Sequence, residues 1–299
     1  MPPFKCGYVS LIGWPNVGKS TLLNAFLGSK LSIVSPRPQT TREAILGILN
    51  EPNVQMVFVD TPGWLSPKDV FQSYMKRSIV RSIYDDADVL VWILEPKPFT
   101  PDDILFADKL TKSQKPVVVI VNKMDLAGSA HHFELVKAEV GTLMGPAVPV
   151  LPLSARSGAG INELKGALIS RLPDAPAYFP TDQMTDRWER FYVAELIREQ
   201  IFKRFQEEIP HACLVVVESF VEKQGRKDLI KASIVVESES QKKIVIGNQA
   251  KAIRDLGQAA RREIEEQIGR PVFLELNVKV HKNWRQDAAF LKLALDQTA

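Results

Sequence analysis

Cysteine is almost missing from this chain: two in 299 residues, Cys6 and Cys213, far apart and without metal-ligand spacing. Nothing in that usage argues for a disulfide framework or an oxidising compartment. The four histidines, His131, His132, His211 and His281, form no ligand pattern. No apolar run approaches the ~18 residues that a membrane-spanning helix needs. Val89 to Leu94, six residues and none longer, has the length of a strand. Met1 to Lys5 lack the make-up of a signal peptide, so a cytoplasmic protein is expected. No heptad or large apolar stripe suggests an obligate dimer, and a monomer is expected. Charge of one sign is lacking as well. Residues 1–173 carry 18 Lys and Arg against 15 Asp and Glu, and residues 174–299 carry 20 against 20. Any nucleic-acid face must therefore come from local clustering rather than from bulk charge.

What is present is ordinary globular composition, 45% hydrophobic and 24% charged, in a chain long enough for two cores. One stretch stands out: Gly13-Trp14-Pro15-Asn16-Val17-Gly18-Lys19-Ser20-Thr21, which contains G-x-x-x-x-G-K-[ST]. An apolar, β-prone run precedes it (Gly7 to Ile12) and a helical pattern follows (Thr21 to Leu27). A loop between strand and helix is where a phosphate cradle belongs. The glycines let backbone N–H groups converge on phosphate oxygens, and the helix N-terminus adds partial positive charge. Lys19 is expected to reach the β- and γ-phosphates, and the Ser20 hydroxyl to ligate Mg²⁺.

Short apolar strands then alternate with amphipathic helices. Strands are expected at 45–49, 54–59, 89–94, 117–121 and 148–153, with helices near 70–84, 102–112, 131–144 and 161–172. This alternation predicts an α/β domain with a mostly parallel sheet and helices on both faces. Ligands of such sheets bind at the carboxyl ends of the strands, and three further motifs fall there. Asp60-Thr61-Pro62-Gly63 can hold Mg²⁺ through a water at Asp60 and sense a γ-phosphate at the Gly63 N–H. In Asn122-Lys123-Met124-Asp125, the Asp125 carboxylate can accept from guanine N1–H and the 2-amino group, donors that adenine lacks. Such a site discriminates by roughly 10⁴–10⁵. Asn122 and the Lys123 stem would brace the base and the phosphate loop. Ser154-Ala155 would present a backbone N–H to guanine O6.

In this order and placement the motifs resemble translational-type GTPases. The resemblance makes Gln39-Thr40-Thr41-Arg42 a first switch, with one threonine on Mg²⁺ in the GTP state, Thr41 being favoured. Asp60 to Trp64 becomes a second switch. Trp64 stands where small signalling GTPases carry a water-orienting Gln, so another device must serve hydrolysis, which is expected to be slow unaided. Asn16 matches the position used in potassium-dependent relatives, where K⁺ could add charge between the phosphates. The alternative is that Asn16 only braces the loop.

Residues 173–185, rich in proline, read as a linker between a domain at 1–172 and one at 186–299. The second begins with a helix at 186–206 bearing Trp188, Phe191, Ala194, Ile197, Ile201 and Phe205 on one face. Strands are expected at 211–221 and 229–237 around a polar hairpin loop. Helical sequence spans 250–268, with Gly257 a candidate divider, before a last strand at 272–281 and a helix at 287–295. This order resembles an α+β type II KH domain. Its signature loop would be Ile246-Gly247-Asn248-Gln249-Ala250-Lys251, clamping an RNA backbone, with Arg254 beside it. Lys242, Lys243, Lys251, Arg254, Arg261 and Arg262 against the lone Asp255 make a local +5. Ala250 stands where the family has its second glycine. Its methyl would crowd a phosphate and favour the helix by roughly 1 kcal/mol.

From Gly7 to about Trp284-Arg285 the chain resembles the Era family of ribosome-assembly GTPases. The resemblance implies a GTP/GDP switch that binds small-subunit (16S) ribosomal RNA near its 3′ end, acts in 30S subunit assembly, and makes peripheral contact with the inner face of the membrane. The alternative is a GTPase whose second domain binds protein. An RNA-binding protein with a merely structural nucleotide site, and an ATPase, lie further off.

Overall fold

The structure is a computed structural model and describes residues 3–35, 37, 40–186, 189–223 and 225–296. It divides into two compact units: residues 1–66 with 74–186, and residues 67–73 with 187–299.

In the first unit, strands β1 (Lys5–Gly13), β2 (Ile45–Glu51), β3 (Val54–Asp60), β4 (Val89–Leu94), β5 (Val117–Val121) and β6 (Val150–Pro152) form one sheet, in the order β2-β3-β1-β4-β5-β6. Helices α1 (Lys19–Leu27), α2 (Val70–Arg81, whose residues 70–73 fall with the second unit), α3 (Pro101–Lys112), α4 (Ser129–Met144) and α5 (Ile161–Ile169) connect them. All pairings are parallel except β2 with β3. Pro52-Asn53 turns the chain straight back there, and so short a connection permits only an antiparallel neighbour. Val89 to Leu94 is buried along its whole length, because central parallel strands are covered on both faces. One core lies on each side, around Phe58, Leu22 and Leu164 on one and around Trp92, Phe106 and Val136 on the other. β6 is shorter than expected: only Val150 to Pro152 pair with β5, and Pro149 before them has no N–H to carry the ladder further back.

The proline-rich stretch expected as a linker is not a free tether. It is strapped along the first unit, and the units part between Asp186 and Arg187. The buried Gln55 side chain accepts from the Tyr178 and Phe179 amides at 2.7 and 3.0 Å and donates to Phe179 O at 2.8 Å. Tyr178 stacks on Tyr8 at 5.5 Å, and the Ile48 amide donates to Met184 O at 2.8 Å.

In the second unit, α6 (Glu189–Arg204), α7 (Ile209–Ala212), β7 (Leu214–Val221), β8 (Asp228–Val236), α8 (Glu239–Ile246), α9 (Lys251–Ile268), β9 (Val272–Val280) and α10 (Ala288–Asp296) follow one another. β7 pairs antiparallel with β8, and β8 pairs parallel with β9. Phe191, Ala194, Ile197, Ile201 and Phe205 are buried as their spacing predicts; Trp188 lies outside the described residues. Three differences stand out. The residues before β7, read as strand from His211, form the short helix α7, with Pro210 in its first turn. The helix α8 was not foreseen, and the apolar run Ile244 to Ile246 is its last turn. Gly257 does not divide a helix: α9 runs unbroken through it, and a Cβ there would stand 3.3 Å from Leu276 Cδ1 on β9. That glycine serves close packing, and the break between the two helices falls at Gly247–Ala250.

Candidate functional site

The expected nucleotide-site residues that the structure describes converge at the carboxyl end of the first sheet. The loop after β1 passes Gly18 at φ +105°, and a Cβ on it would meet Asn122 Nδ2 at 2.2 Å; only glycine fits there. Lys19 is buried, its ammonium resting on the Gly13 and Trp14 carbonyls at 3.1 and 2.9 Å. Burial lowers its pKa to about 8, against the pull of the nearby Asp60. The loop's own carbonyls thus hold the cation that a polyphosphate would claim. Asn16 sits at φ +64°. A cavity beside the loop is lined by Asn16, Lys19, Ser20, Thr40, Thr41 and Gly63.

Three oxygen donors meet next to Lys19. Ser20 Oγ donates to Asp60 Oδ2 at 2.7 Å and lies 3.0 Å from Thr41 Oγ1; Thr41 Oγ1 is 3.5 Å from the same carboxylate oxygen. Burial pushes the Asp60 carboxyl up from the usual carboxylate range. Its other oxygen, Oδ1, is buried and meets no hydrogen-bond partner among the described residues. A buried carboxylate with an unmet oxygen, flanked by two hydroxyls, suits a hard cation such as Mg²⁺. Of the two switch threonines, Thr41 is the one placed in this cluster. Arg42 is buried beside it. Gln39 lies outside the described residues.

Thr61 Oγ1 donates to Leu11 O at 2.8 Å, and the Trp64 amide donates to Gly13 O at 3.0 Å, so Asp60 to Trp64 is moored to β1 and the phosphate loop. The Trp64 ring lies over Phe106 at 4.8 Å, with the Lys76 ammonium 5.4 Å from its centroid. That indole packs with the core and can activate no water by itself.

The loops expected to read the base are tied to each other and to the loop after β1. Asn122 donates from Nδ2 to Val17 O at 2.7 Å and accepts the Ala155 amide at Oδ1, at 2.9 Å. Lys123, at φ +64°, pairs its ammonium with Glu95, and the Met124 amide donates to Leu153 O at 3.1 Å. Asp125 is exposed, and the Ser154 hydroxyl donates to its Oδ1 at 2.7 Å, holding the carboxyl below the usual range. For Ser154 and its neighbour Ala155, sequence reasoning expected a backbone N–H toward the base. The Ser154 amide donates to Ala159 O at 2.9 Å and the Ala155 amide to Asn122, so neither is aimed outward at a base. The Ser154 side chain orients the Asp125 carboxylate, the group expected to meet guanine.

In the second unit, Gly247 to Ala250 join α8 to α9. Gly247 has φ +72°, and a Cβ there would meet Ala252 Cβ at 2.6 Å. Gln249 and Ala250 follow at φ +48° and +59°, both left-handed. The expectation that Ala250 favours the helix is therefore overturned. It stands outside α9 as the N-cap residue, in a conformation where alanine costs about 1 kcal/mol more than glycine. Arg254 is also not simply free to meet a phosphate. Its guanidinium folds back onto the Gln249 carbonyl at 2.5 Å and approaches the Ala250 carbonyl at 3.4 Å. Asn248, Gln249 and Lys251 are exposed, and Ile246 is half-buried. With Ile253, Leu274 and Leu276 it edges the core where α8 and α9 pack on β9, the outer strand.

Comparisons with known proteins cover both units. Residues 8–123 match the family model of the 50S ribosome-binding GTPases, and residues 208–285 match that of the KH domain. GTPase Era of Geotalea uraniireducens is 43% identical over 291 residues, 97% of each chain. The chloroplastic GTPase ERA-like protein of Oryza sativa is 41% identical over 96% of this chain and 68% of its own. Two solved structures superpose along nearly the whole chain, each at 36% identity over 97% of it. One is Era with MgGDPNP and nucleotides 1506–1542 of 16S ribosomal RNA, at TM-score 0.92 over 98% of that chain. The other is a point variant of Aquifex aeolicus Era bound to GDP·AlF4⁻, at TM-score 0.93 over 99% of that chain.

Proposed function

Because this chain belongs to the Era family of GTPases, we propose that its hydrolysis of GTP switches the grip of its KH unit on the 3′ region of small-subunit ribosomal RNA during assembly of the 30S subunit. The observation that carries the nucleotide half is the Ser154–Asp125 hydrogen bond, which fixes a carboxylate to accept the two donors peculiar to guanine. For the RNA half, support comes from the KH unit and its relative's complex with 16S ribosomal RNA.

Gly13 to Thr21 hold the phosphates. Lys19 leaves the Gly13 and Trp14 carbonyls for the β- and γ-phosphate oxygens, where a full charge restores its ordinary basicity. Ser20 and Thr41 directly, and Asp60 through a water, would hold Mg²⁺, which would supply positive charge to offset that of the phosphates. The Gly63 amide senses the γ-phosphate, so the loops at Thr40–Thr41 and Gly63–Trp64 are ordered by GTP and released on hydrolysis. Trp64 supplies no group that orients water, so hydrolysis is slow unaided. K⁺ at Asn16 is the device we assign to that gap. In the KH unit, Gly247 to Ala250 take the RNA backbone while Ile246 and its apolar neighbours receive bases, with Lys251 adding charge. The cytoplasm is the place of this work. Peripheral contact with the inner face of the membrane rests on the family resemblance alone.

The test is RNA affinity at fixed salt for a single-stranded fragment from the 3′ end of 16S ribosomal RNA, with GDP and with a non-hydrolysable GTP analogue. Tighter binding with the analogue, weakened by Lys251→Ala, is expected. Equal affinity in both nucleotide states would sink the switch. No affinity in either would favour a second unit that binds protein.

A further inference from the structure

Asp103 stands apart from the strand ends that carry the nucleotide-site residues, yet it reaches the phosphate loop. It is the third residue of α3 and only 3% exposed. Its Oδ2 accepts from the Thr100 amide at 2.7 Å and from the Thr100 hydroxyl, closing the helix cap. That cap needs one oxygen. The other, Oδ1, accepts the indole N–H of Trp14. Trp14 follows the first glycine of the phosphate loop, and its own carbonyl carries the Lys19 ammonium at 2.9 Å. One residue is thus gripped at its side chain by a carboxylate and holds the phosphate-binding lysine at its backbone. One turn along α3, Phe106 receives the Trp14 ring at 6.2 Å and the Trp64 ring at 4.8 Å.

A buried carboxylate is costly unless donors meet both oxygens, and packing a tryptophan against a helix requires no carboxylate. We propose that Asp103 is a positioning residue for GTP: through Trp14 it pre-sets the phosphate loop, so that the nucleotide meets an already formed cradle. The proposal rests on the phosphate-loop assignment made above. A pre-set loop spares the nucleotide the cost of ordering it. Because ground state and transition state use the same cradle, the benefit falls on binding more than on turnover.

The test compares the full chain with Trp14→Phe, Asp103→Asn and the double variant. It measures the Kd of GDP and of a non-hydrolysable GTP analogue at fixed Mg²⁺ and salt, kcat and KM for GTP, and melting temperature without nucleotide. Each single variant is expected to weaken both nucleotides about tenfold, the worth of a hydrogen bond to a charged group. KM should rise with Kd, and kcat should fall by a smaller factor. The double variant should bind about as poorly as either single one, since both remove the same bond. Asp103 also caps α3, and its substitution could cost folding; Trp14→Phe leaves the cap whole and decides the matter alone. An unchanged Kd in Trp14→Phe, effects that multiply in the double variant, or a lowered melting temperature with affinity intact would each overturn the clamp. If the unaltered chain bound no GDP, the phosphate-loop assignment would fall first and the clamp with it.

Discussion

The two binding regions of this molecule are built in opposite ways. The nucleotide site is a closed network: Asn122 joins two loops, Ser154 holds Asp125, and Ser20, Thr41 and Asp60 share one corner. Its parts come from separate segments of chain, and much of it is buried. The loop proposed to take RNA is a short run between two helices, exposed at Asn248 and Gln249, whose side-chain support comes from its neighbour Arg254. A base must be chosen among four by directional hydrogen bonds, which demands rigid placement. A nucleic-acid backbone can be gripped by charge and shape, which tolerates a simpler device.

That contrast can be attacked at its strongest point first. Asp125→Asn puts a donor where guanine needs an acceptor, and GTP affinity should fall on the order of 10⁴-fold; a fluorescence titration with labelled GDP measures it. Ser154→Ala should cost about tenfold in the same titration, because Asp125 keeps its charge but loses its orientation. Equal losses from the two would mean that Ser154 does more than aim the carboxylate.

On the RNA side the loss should be modest and even. Lys251→Ala is expected to weaken all single-stranded sequences alike, by roughly fivefold, and to reduce the slope of log affinity against log salt by about one. A change confined to one sequence would show that this loop reads bases, and the contrast would fail. Gly247→Asp is a poor probe of contact, since any side chain there collides with Ala252 and strains a left-handed backbone.

Acidity separates the regions further. Lys19 has a pKa of about 8 while it rests on the loop carbonyls, and phosphate needs it charged. Nucleotide affinity should therefore hold below pH 8 and weaken roughly thirtyfold toward pH 9.5, as binding comes to require uptake of a proton. Calorimetry in buffers of different ionisation enthalpy would detect that proton. The smallest effect expected is Ala250→Gly. It relieves a left-handed alanine and should raise stability by up to about 1 kcal/mol, read from denaturant unfolding, with RNA affinity kept.

Much of the first unit was legible because its signals are local. Val89 to Leu94 and Val117 to Val121 are apolar runs of strand length and form those strands residue for residue. The motifs at Lys19, Asp60 and Asp125 sit at the strand ends where a parallel sheet puts them. What escaped is what depends on neighbours distant in sequence. Nothing near Gln55 announces that it will hold Tyr178 and Phe179, 123 and 124 residues away. Prolines from 173 to 180 signal a break in periodicity, not whether the broken segment is free or fastened. In the second unit the helix break was misplaced because Gly257 and Gly247 are the same residue type in different service, one for packing and one for a turn. Helix propensity misjudged Ala250 for a related reason: the penalty belongs to its backbone angles, which composition does not carry.

The strapped segment and the small piece at 67–73 together govern how this chain can be taken apart. A fragment ending at Asp186 looks like a natural stopping place, yet residues 67–73 pack with the second unit, where Phe71 lies edge-on to the buried Trp284 at 5.2 Å. Cut there, the isolated first unit would carry an orphaned phenylalanine into solvent and aggregate more readily than the whole chain. The second unit expressed alone would have an open notch over Trp284. Anyone dividing this protein for biophysics should supply residues 67–73 to the second half, or replace Phe71 with a polar residue in the first.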